Sequence, residues 1–363
     1  MKNKKKVCYV VCYKDPEYIR TRTLTAALSS MGNIELLVLR NEYRNFFRYI
    51  EMPARLIVAR IKYRPDIFVV GFRAHEIFWA LYPAMVGKKI IFDEFINLHN
   101  WLIDEHRKLS KNSVTIRILD SYMKWVIRRS AIILQDTQAH ARLSAKIYET
   151  PRRKLAIVPV GADESTFYPR QAKKKPGRLE VIFFGNMLPL HGLEIILQSI
   201  NLLRNENSLR GVHITLIGGK GNKKMIGRIN NFIKLNKLSN TITYKEWVDY
   251  YNLPSYIARA DLCLGGPFGN TSQARRVVSG KTYQFLAMAK PVVVGRIENE
   301  IEFRDKENCL LIEQGSPEAL AKTISWANGH RAELKKIGQE ARKLYIDHFS
   351  TTVLAKKLEK LLF

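Results

Sequence analysis

The chain has 363 residues, enough for two ordinary α/β domains, each with its own core. Hydrophobic residues make up 46% and charged residues 26%, a globular balance that excludes a disordered chain. A net charge of +27 asks for an anionic partner, whether nucleic acid, an anionic bilayer or a phosphorylated substrate; the plain alternative is a Lys-rich chain with solvated helix faces.

The basic start, 1–6, followed by the apolar run 7–13, has the outline of a signal peptide. The run is short, passes into Lys14, Asp15 and Pro16, and lacks a small-residue cleavage site, so it reads as a first strand. Further strands are expected at 34–39, 66–72, 89–93, 131–135 and 155–160, with helical periodicity at 19–31, 43–62, 75–86 and 115–129. Near-continuous apolar strands separated by helices predict a parallel sheet covered on both faces. The polar, basic, proline-flanked stretch 169–178 suits a linker. The pattern then restarts, with strands at 179–184, 212–217, 241–244, 261–264, 291–294 and 309–312. Helices are expected at 193–205, 223–237, 281–288, 317–328 and 331–348, and a short amphipathic one at 351–362. Cys8, Cys12, Cys263 and Cys309 all sit in apolar runs without a CxxC pair, which argues against metal or redox chemistry and for a reducing compartment. No uninterrupted apolar stretch reaches about 18 residues. The chain is therefore expected to be cytoplasmic and at most peripheral.

Four stretches carry candidate chemistry. In 183–192, Gly185 lets the chain turn off a strand, Gly192 opens a helix whose free N–H groups favour phosphate, and Asn186 and His191 stand between them; an ordinary βα turn is the alternative. In 217–222, Gly218 and Gly219 allow close approach of a flat ligand such as a nucleobase or ribose, or form a plain flexible loop. In 262–292 a strand ends in a loop containing Phe268, Gly269, Asn270 and Thr271, followed by Arg276, Lys281 and Gln284. Fixed cations and helix N–H groups there suit charge developing on a diphosphate leaving group, the alternative being solvated loop charges. In 91–100, Asp93 ends a strand and His99 follows it, a candidate carboxylate and a candidate acid, base or donor, with a partly buried helix residue as the other reading of His99. The segment 135–140, with Asp136 and Thr137, is similar, Thr137 or Asp136 also reading as a plain N-cap.

At these residues the chain resembles glycosyltransferase family 4 (group 1) of the GT-B fold, in a branch with a PLHG-type phosphate loop. The run 158–169 is similar to that family's hinge signature, 184–192 to its phosphate loop, 276–292 to its donor-site helix and 307–321 to its late strand-turn-helix. The resemblance is strong over 155–330 and looser before that. It implies two doubly wound Rossmann-like domains facing across a cleft: an acceptor-side domain at 1–168, a linker at 169–178, a nucleotide-sugar domain at 179–348, and a C-terminal helix at 349–363 able to return to the first domain. It implies a retaining transfer from a nucleoside diphosphate sugar, with no cofactor and no metal required. Asp93, His99, Arg276 and Lys281 are the expected catalytic groups. Gly185, Asn186, His191, Gly192, Gly218, Gly219, Phe268, Gly269, Asn270, Thr271 and Gln284 are expected to hold the donor. The family usually has two glutamates eight residues apart where this chain has Arg276 and Gln284, and its usual phosphate-loop Arg and Lys are missing. Arg276 and Lys281 are expected to replace that cationic pair.

The acceptor is expected to be a lipid-linked or envelope glycan at the inner face of the cell membrane, because Arg20, Arg22, Arg40, Arg44, Arg48, Arg55, Arg60 and Arg64 are interleaved with Phe46, Phe47, Tyr49, Ile57 and Val58. Two rival readings are a basic nucleic-acid-binding protein, for which no reader module is found, and a catalytically inactive GT-B scaffold, suggested by the missing glutamates.

Overall fold

The computed structural model describes residues 4–105, 113–173, 176–298 and 300–363. Residues 1–3 of the basic start and 174–175 of the linker stretch lie outside it. Contacts divide the chain into two units, 1–163 with 351–363 and 164–350.

The first unit runs β1 (Lys5–Val11), α1 (Ile19–Ser29), β2 (Ile34–Arg40), α2 (Arg48–Lys62), β3 (Ile67–Val70), α3 (Phe78–Met85), β4 (Lys89–Asp93), a short α4 (Leu98–Asn100), α5 (Val114–Arg129), β5 (Ile132–Gln135), α6 (Gln138–Tyr148) and β6 (Leu155–Ile157). The sheet is parallel, in the order β2-β1-β3-β4-β5-β6. Alternation along the strands builds a core on each face. Cys8, Val10, Phe68, Val70 and Phe92 point at Met52 and Leu56 of α2, Phe78 and Leu81 of α3, and Met123 and Val126 of α5. Val7, Tyr9, Val11, Val69 and Ile91 point at Leu24 and Leu28 of α1. That second core also takes Leu354, Leu358 and Leu362 of α13 (Thr351–Leu362), which lie one helical turn apart. Lys5 and Lys89, at the starts of β1 and β4, both place Nζ 3.5 Å from the Leu362 carbonyl, where a helix C-terminus favours cations.

The second unit runs β7 (Leu179–Phe184), α7 (Leu193–Asn205), β8 (Val212–Ile217), α8 (Lys223–Leu235), β9 (Ile242–Lys245), α9 (Leu253–Arg259), β10 (Leu262–Leu264), α10 (Gly280–Ala287), β11 (Val292–Gly295), β12 (Leu310–Ile312), α11 (Pro317–Gly329) and α12 (Arg331–His348). Its parallel sheet has the order β12-β11-β10-β7-β8-β9. Leu179, Val181 and Phe183 pack with Ile196 and Ile200 of α7 and Leu320 and Ile324 of α11.

All four cysteines are buried and free, as their apolar runs predict. Two helices escape the periodicity. The buried face of α6 is Ala139, His140, Ala141, Ser144 and Tyr148, largely small or polar, and α9 is seven residues long with proline at its start. Residues 43–47, expected as helix, form an irregular lead-in to α2. Among the described residues no helix is long and apolar enough to cross a membrane.

Candidate functional site

In the second unit the chain starts at β7, steps to β8 and β9, then crosses back to lay β10, β11 and β12 on the other side. Strand order therefore reverses between β7 and β10, and ligands of such sheets gather beyond the carboxyl ends of the strands at that reversal. Three loops meet there, after β7, β8 and β10, and their glycines let the backbones touch. A Cβ on Gly218 would stand 1.9 Å from the Gly185 carbonyl oxygen. Gly192 holds φ +70°, and a Cβ there would stand 2.6 Å from the Gly269 nitrogen. Gly269 in turn donates its N–H to the Leu190 carbonyl at 3.0 Å.

The same packing brings two nitrogen-bearing side chains together. Lys281 lies on the first turn of α10, whose cap residue Ser279 donates its hydroxyl to the Gly265 carbonyl at 2.6 Å. Its side chain is buried, with Nζ 5.2 Å from the centre of the Phe183 ring. His191 approaches from the loop after β7. The point where a Gly185 Cβ would sit is 3.2 Å from His191 Nδ1 and Cε1 and 3.2 Å from Lys281 Cε. Among the described residues neither Lys281 Nζ nor His191 Nδ1 has a hydrogen-bond partner. Burial pushes the Lys281 ammonium down to about 7. Burial first, and then the Lys281 charge, hold His191 well below the usual histidine range. Buried polar nitrogens are normally satisfied, so an unsatisfied pair at a strand-end reversal is a place where an anion would gain two donors.

The other expected donor residues divide. Asn186 is exposed on the loop before His191, and Gln284 is buried one turn along α10 from Lys281. Asn270 is exposed and accepts from Arg275 Nη2 at 3.0 Å, while Thr271 Oγ1 caps the next turn by accepting from the Ala274 N–H at 3.0 Å. Gly219 lies beside Tyr244, whose hydroxyl donates to the Gly218 carbonyl at 2.9 Å. Phe268 is placed differently from expectation: its ring is fully buried in the core, and its carbonyl accepts from the Gly315 N–H at 2.9 Å, so it shapes the loop from within. The group that meets Lys281 is His191; Arg276 is half-buried on the turn Ala274–Arg276.

In the first unit the expected carboxylate is already engaged. Asp93 is fully buried, and Oδ1 accepts from Arg20 Nη2 at 2.7 Å and Nε at 3.0 Å. Arg20 Nη1 donates onward to the Val158 and Pro159 carbonyls at 2.6 and 2.9 Å. Asp93 Oδ2 also accepts from Arg20 Nε at 3.2 Å, so the ion pair engages both carboxylate oxygens and ties α1, the end of β4 and the segment after β6. It also removes Arg20 from the surface, contrary to its expected place among membrane-facing cations. Arg22 and Arg40 both pair with Glu17. His99 Nδ1 lies 2.9 Å from Asp120 Oδ2, and the His99 backbone N–H donates to the Tyr148 hydroxyl at 3.2 Å.

Residues 178–327 match the family model described as glycosyl transferases group 1. Solved structures match along nearly the whole chain. A glycosyltransferase of Rickettsia africae superposes with a TM-score of 0.72 at 15% identity, covering 99% of this chain and 98% of that one. Sucrose-phosphate synthase of Thermosynechococcus elongatus gives 0.74 at 13% identity, covering 99% and 98%. Anabaena HepE, in complex with UDP and glucose, gives 0.70 at 13% identity, covering 99% of each. At such identities the structures establish the fold, and the family match supplies the enzyme class. The chain is a GT-B glycosyltransferase. No curated protein sequence matches it.

Two polar groups of the glycosyltransferase's first unit were not among the expected site residues. Glu94, next to Asp93, is buried and accepts from Gln135 Nε2 at 2.7 Å, Ser144 Oγ at 2.6 Å and Asn97 Nδ2 at 3.1 Å. Burial pushes its carboxyl up to about 7 against those donors. Asp136 and His140, one turn apart at the start of α6, pair at 2.5 Å, and Thr137 caps the helix by accepting from the His140 N–H at 3.2 Å. Asp136 and Thr137 carry a sequence signal, as a candidate polar pair or an N-cap; Glu94 carries none, and its donors lie up to 50 residues away.

Proposed function

We propose that the enzyme moves a sugar from a nucleoside diphosphate to a hydroxyl of a lipid-linked or envelope glycan, with retention, at an anionic membrane on its cytoplasmic side. The observation that carries the donor half is the pair of buried, unpartnered nitrogens of Lys281 and His191 at the β7/β10 reversal. In the transfer, the anomeric C–O bond to the diphosphate breaks as a bond to the acceptor oxygen forms on the same face, the acceptor's proton passes to the departing diphosphate oxygen, and negative charge collects on the leaving oxygens. The Lys281 ammonium, the His191 ring and the N–H groups opening α7 and α10 stabilise that charge where water is excluded. The run 185–192 then serves as the phosphate loop, with Asn186 at its rim. Gly218 and Gly219 admit the base or ribose, and Gln284 hydrogen-bonds a ribose hydroxyl without the charge of a glutamate. Asn270 and Thr271 border the sugar.

The solved complexes of HepE with UDP-glucose and of pneumococcal GtfA with UDP and GlcNAc support a nucleotide-sugar donor. Retention rests on the likeness of 276–292 to the donor-site helix of retaining enzymes, and the membrane-borne acceptor on the net charge of +27.

A panel of nucleoside diphosphates and their sugars, screened by thermal stabilisation and then by hydrolysis, tests the reading. One base should raise the melting temperature, its sugar should be cleaved, and proton NMR should show the released anomer retained. A chain that no nucleotide stabilises and that cleaves none of the sugars is the inactive scaffold instead.

A further inference from the structure

Helix α2 is apolar on two opposite faces. With about 100° between successive residues, Met52, Leu56 and Ala59 share one side and are buried, while Ile50, Ile57, Val58 and Ile61 share the other. These four, and Phe46 and Phe47 just before the helix, are between 50% and 70% exposed. A helix apolar all round is ordinarily enclosed, and a contiguous exposed apolar strip marks a contact surface. Cations border the strip: Arg55 and Lys62 on one flank, Arg60 on the other, and exposed Arg44 and Arg64 near its two ends. Glu42 and Glu51 both accept from Arg55 Nη1, at 2.9 and 2.8 Å, so Arg55 is offset and Arg44, Arg60, Lys62 and Arg64 are the cations left to meet an anionic surface.

We propose that this face of the first unit seats in the headgroup region of an anionic bilayer. The six apolar side chains reach the acyl boundary, and the bordering cations meet lipid phosphates. A second copy of the same face would set cation against cation. A nucleic acid would meet mostly aliphatic side chains that offer no stacking platform. The proposal rests on the membrane half of the function proposed above and names the face that makes the contact; none of these residues belongs to the donor site, so the two can fail separately.

Co-sedimentation of the full chain with phosphatidylcholine vesicles, with and without phosphatidylglycerol, tests it. The protein should pellet with the anionic vesicles. The Ile57→Ser, Ile61→Ser variant should lose more than roughly tenfold in partitioning. The Arg44→Gln, Arg64→Gln variant should lose roughly fivefold per cation removed. In an Ile57→Trp variant, indole emission should move to the blue and be quenched by brominated acyl chains. Equal pelleting of the wild type and the serine variant, or an indole that brominated lipid does not quench, overturns the proposal. So does a lipid-free dimer that the serine variant dissolves, which would assign the face to a second copy. Donor-sugar hydrolysis without vesicles reads the transfer site separately and should be unchanged in every variant.

Discussion

The two parallel sheets treat buried charge at their carboxyl ends in opposite ways. At the end of β4, Asp93 and Arg20 satisfy each other, and Arg20 spends its remaining donors on two carbonyls. Beyond β7 and β10, Lys281 and His191 are brought together, and among the described residues no carboxylate bonds Lys281 Nζ or His191 Nδ1. A paired buried charge holds the fold, while two like donors left unpaired weaken it unless a ligand completes them. The contrast separates the part of the molecule that is finished from the part that is waiting.

The sharpest way to break this contrast is Asp93→Ala, which leaves Arg20 buried and alone. It should cost about 3–5 kcal/mol in a denaturant titration of the first unit, and a change near zero would mean that the pair does not hold that unit. Next comes Lys281→Met. Donor hydrolysis should fall by about 10²–10³, yet the melting temperature should hold or rise, because a buried unpartnered ammonium has gone; a lower melting temperature with full activity would make Lys281 structural. The pH dependence sharpens the same point. The lysine's ordinary value of 10.5 falls to about 7 in the folded protein. Between those values the unfolded chain holds the extra proton, so Lys281 makes the empty protein more stable as pH climbs through that window. A bound diphosphate favours the ammonium, so nucleotide affinity should weaken above pH of about 7, by up to tenfold per unit. Calorimetry in buffers of different ionisation heat should show proton uptake on binding, and none at all would remove Lys281 from the site. The smallest effect is Thr137→Ala, which should cost about 1 kcal/mol of stability in the first unit and leave nucleotide affinity untouched.

Much of this was legible in residue order. The strands announced themselves as apolar runs because both faces of each sheet are covered, and the glycines at 185, 192, 218 and 269 marked the loops that meet. What residue order hid was pairing across distance. Lys281 stood out beside a glycine loop, but its companion was sought at Arg276, five residues away, rather than at His191, which arrives through the contact of Gly192 with Gly269. Asp93 had the signature of a catalytic carboxylate, a strand-end acid, and nothing nearby revealed that an arginine 73 residues earlier would bury itself against it. That arginine read as one more surface cation in a basic helix. Helix α6 was missed for a related reason: its inner face is held by Asp136–His140 and by Ser144 to Glu94, polar contacts with no hydrophobic rhythm.

The path of α13 bears on how the protein is made. Leu354, Leu358 and Leu362 are almost completely buried against the sheet that begins at Lys5. A ribosome must therefore translate all of 164–350 before that face of the first sheet can close. Until then the apolar side chains of α1 and β1 emerge into the cell without their last cover, and the earliest-made unit is the later one to be sealed.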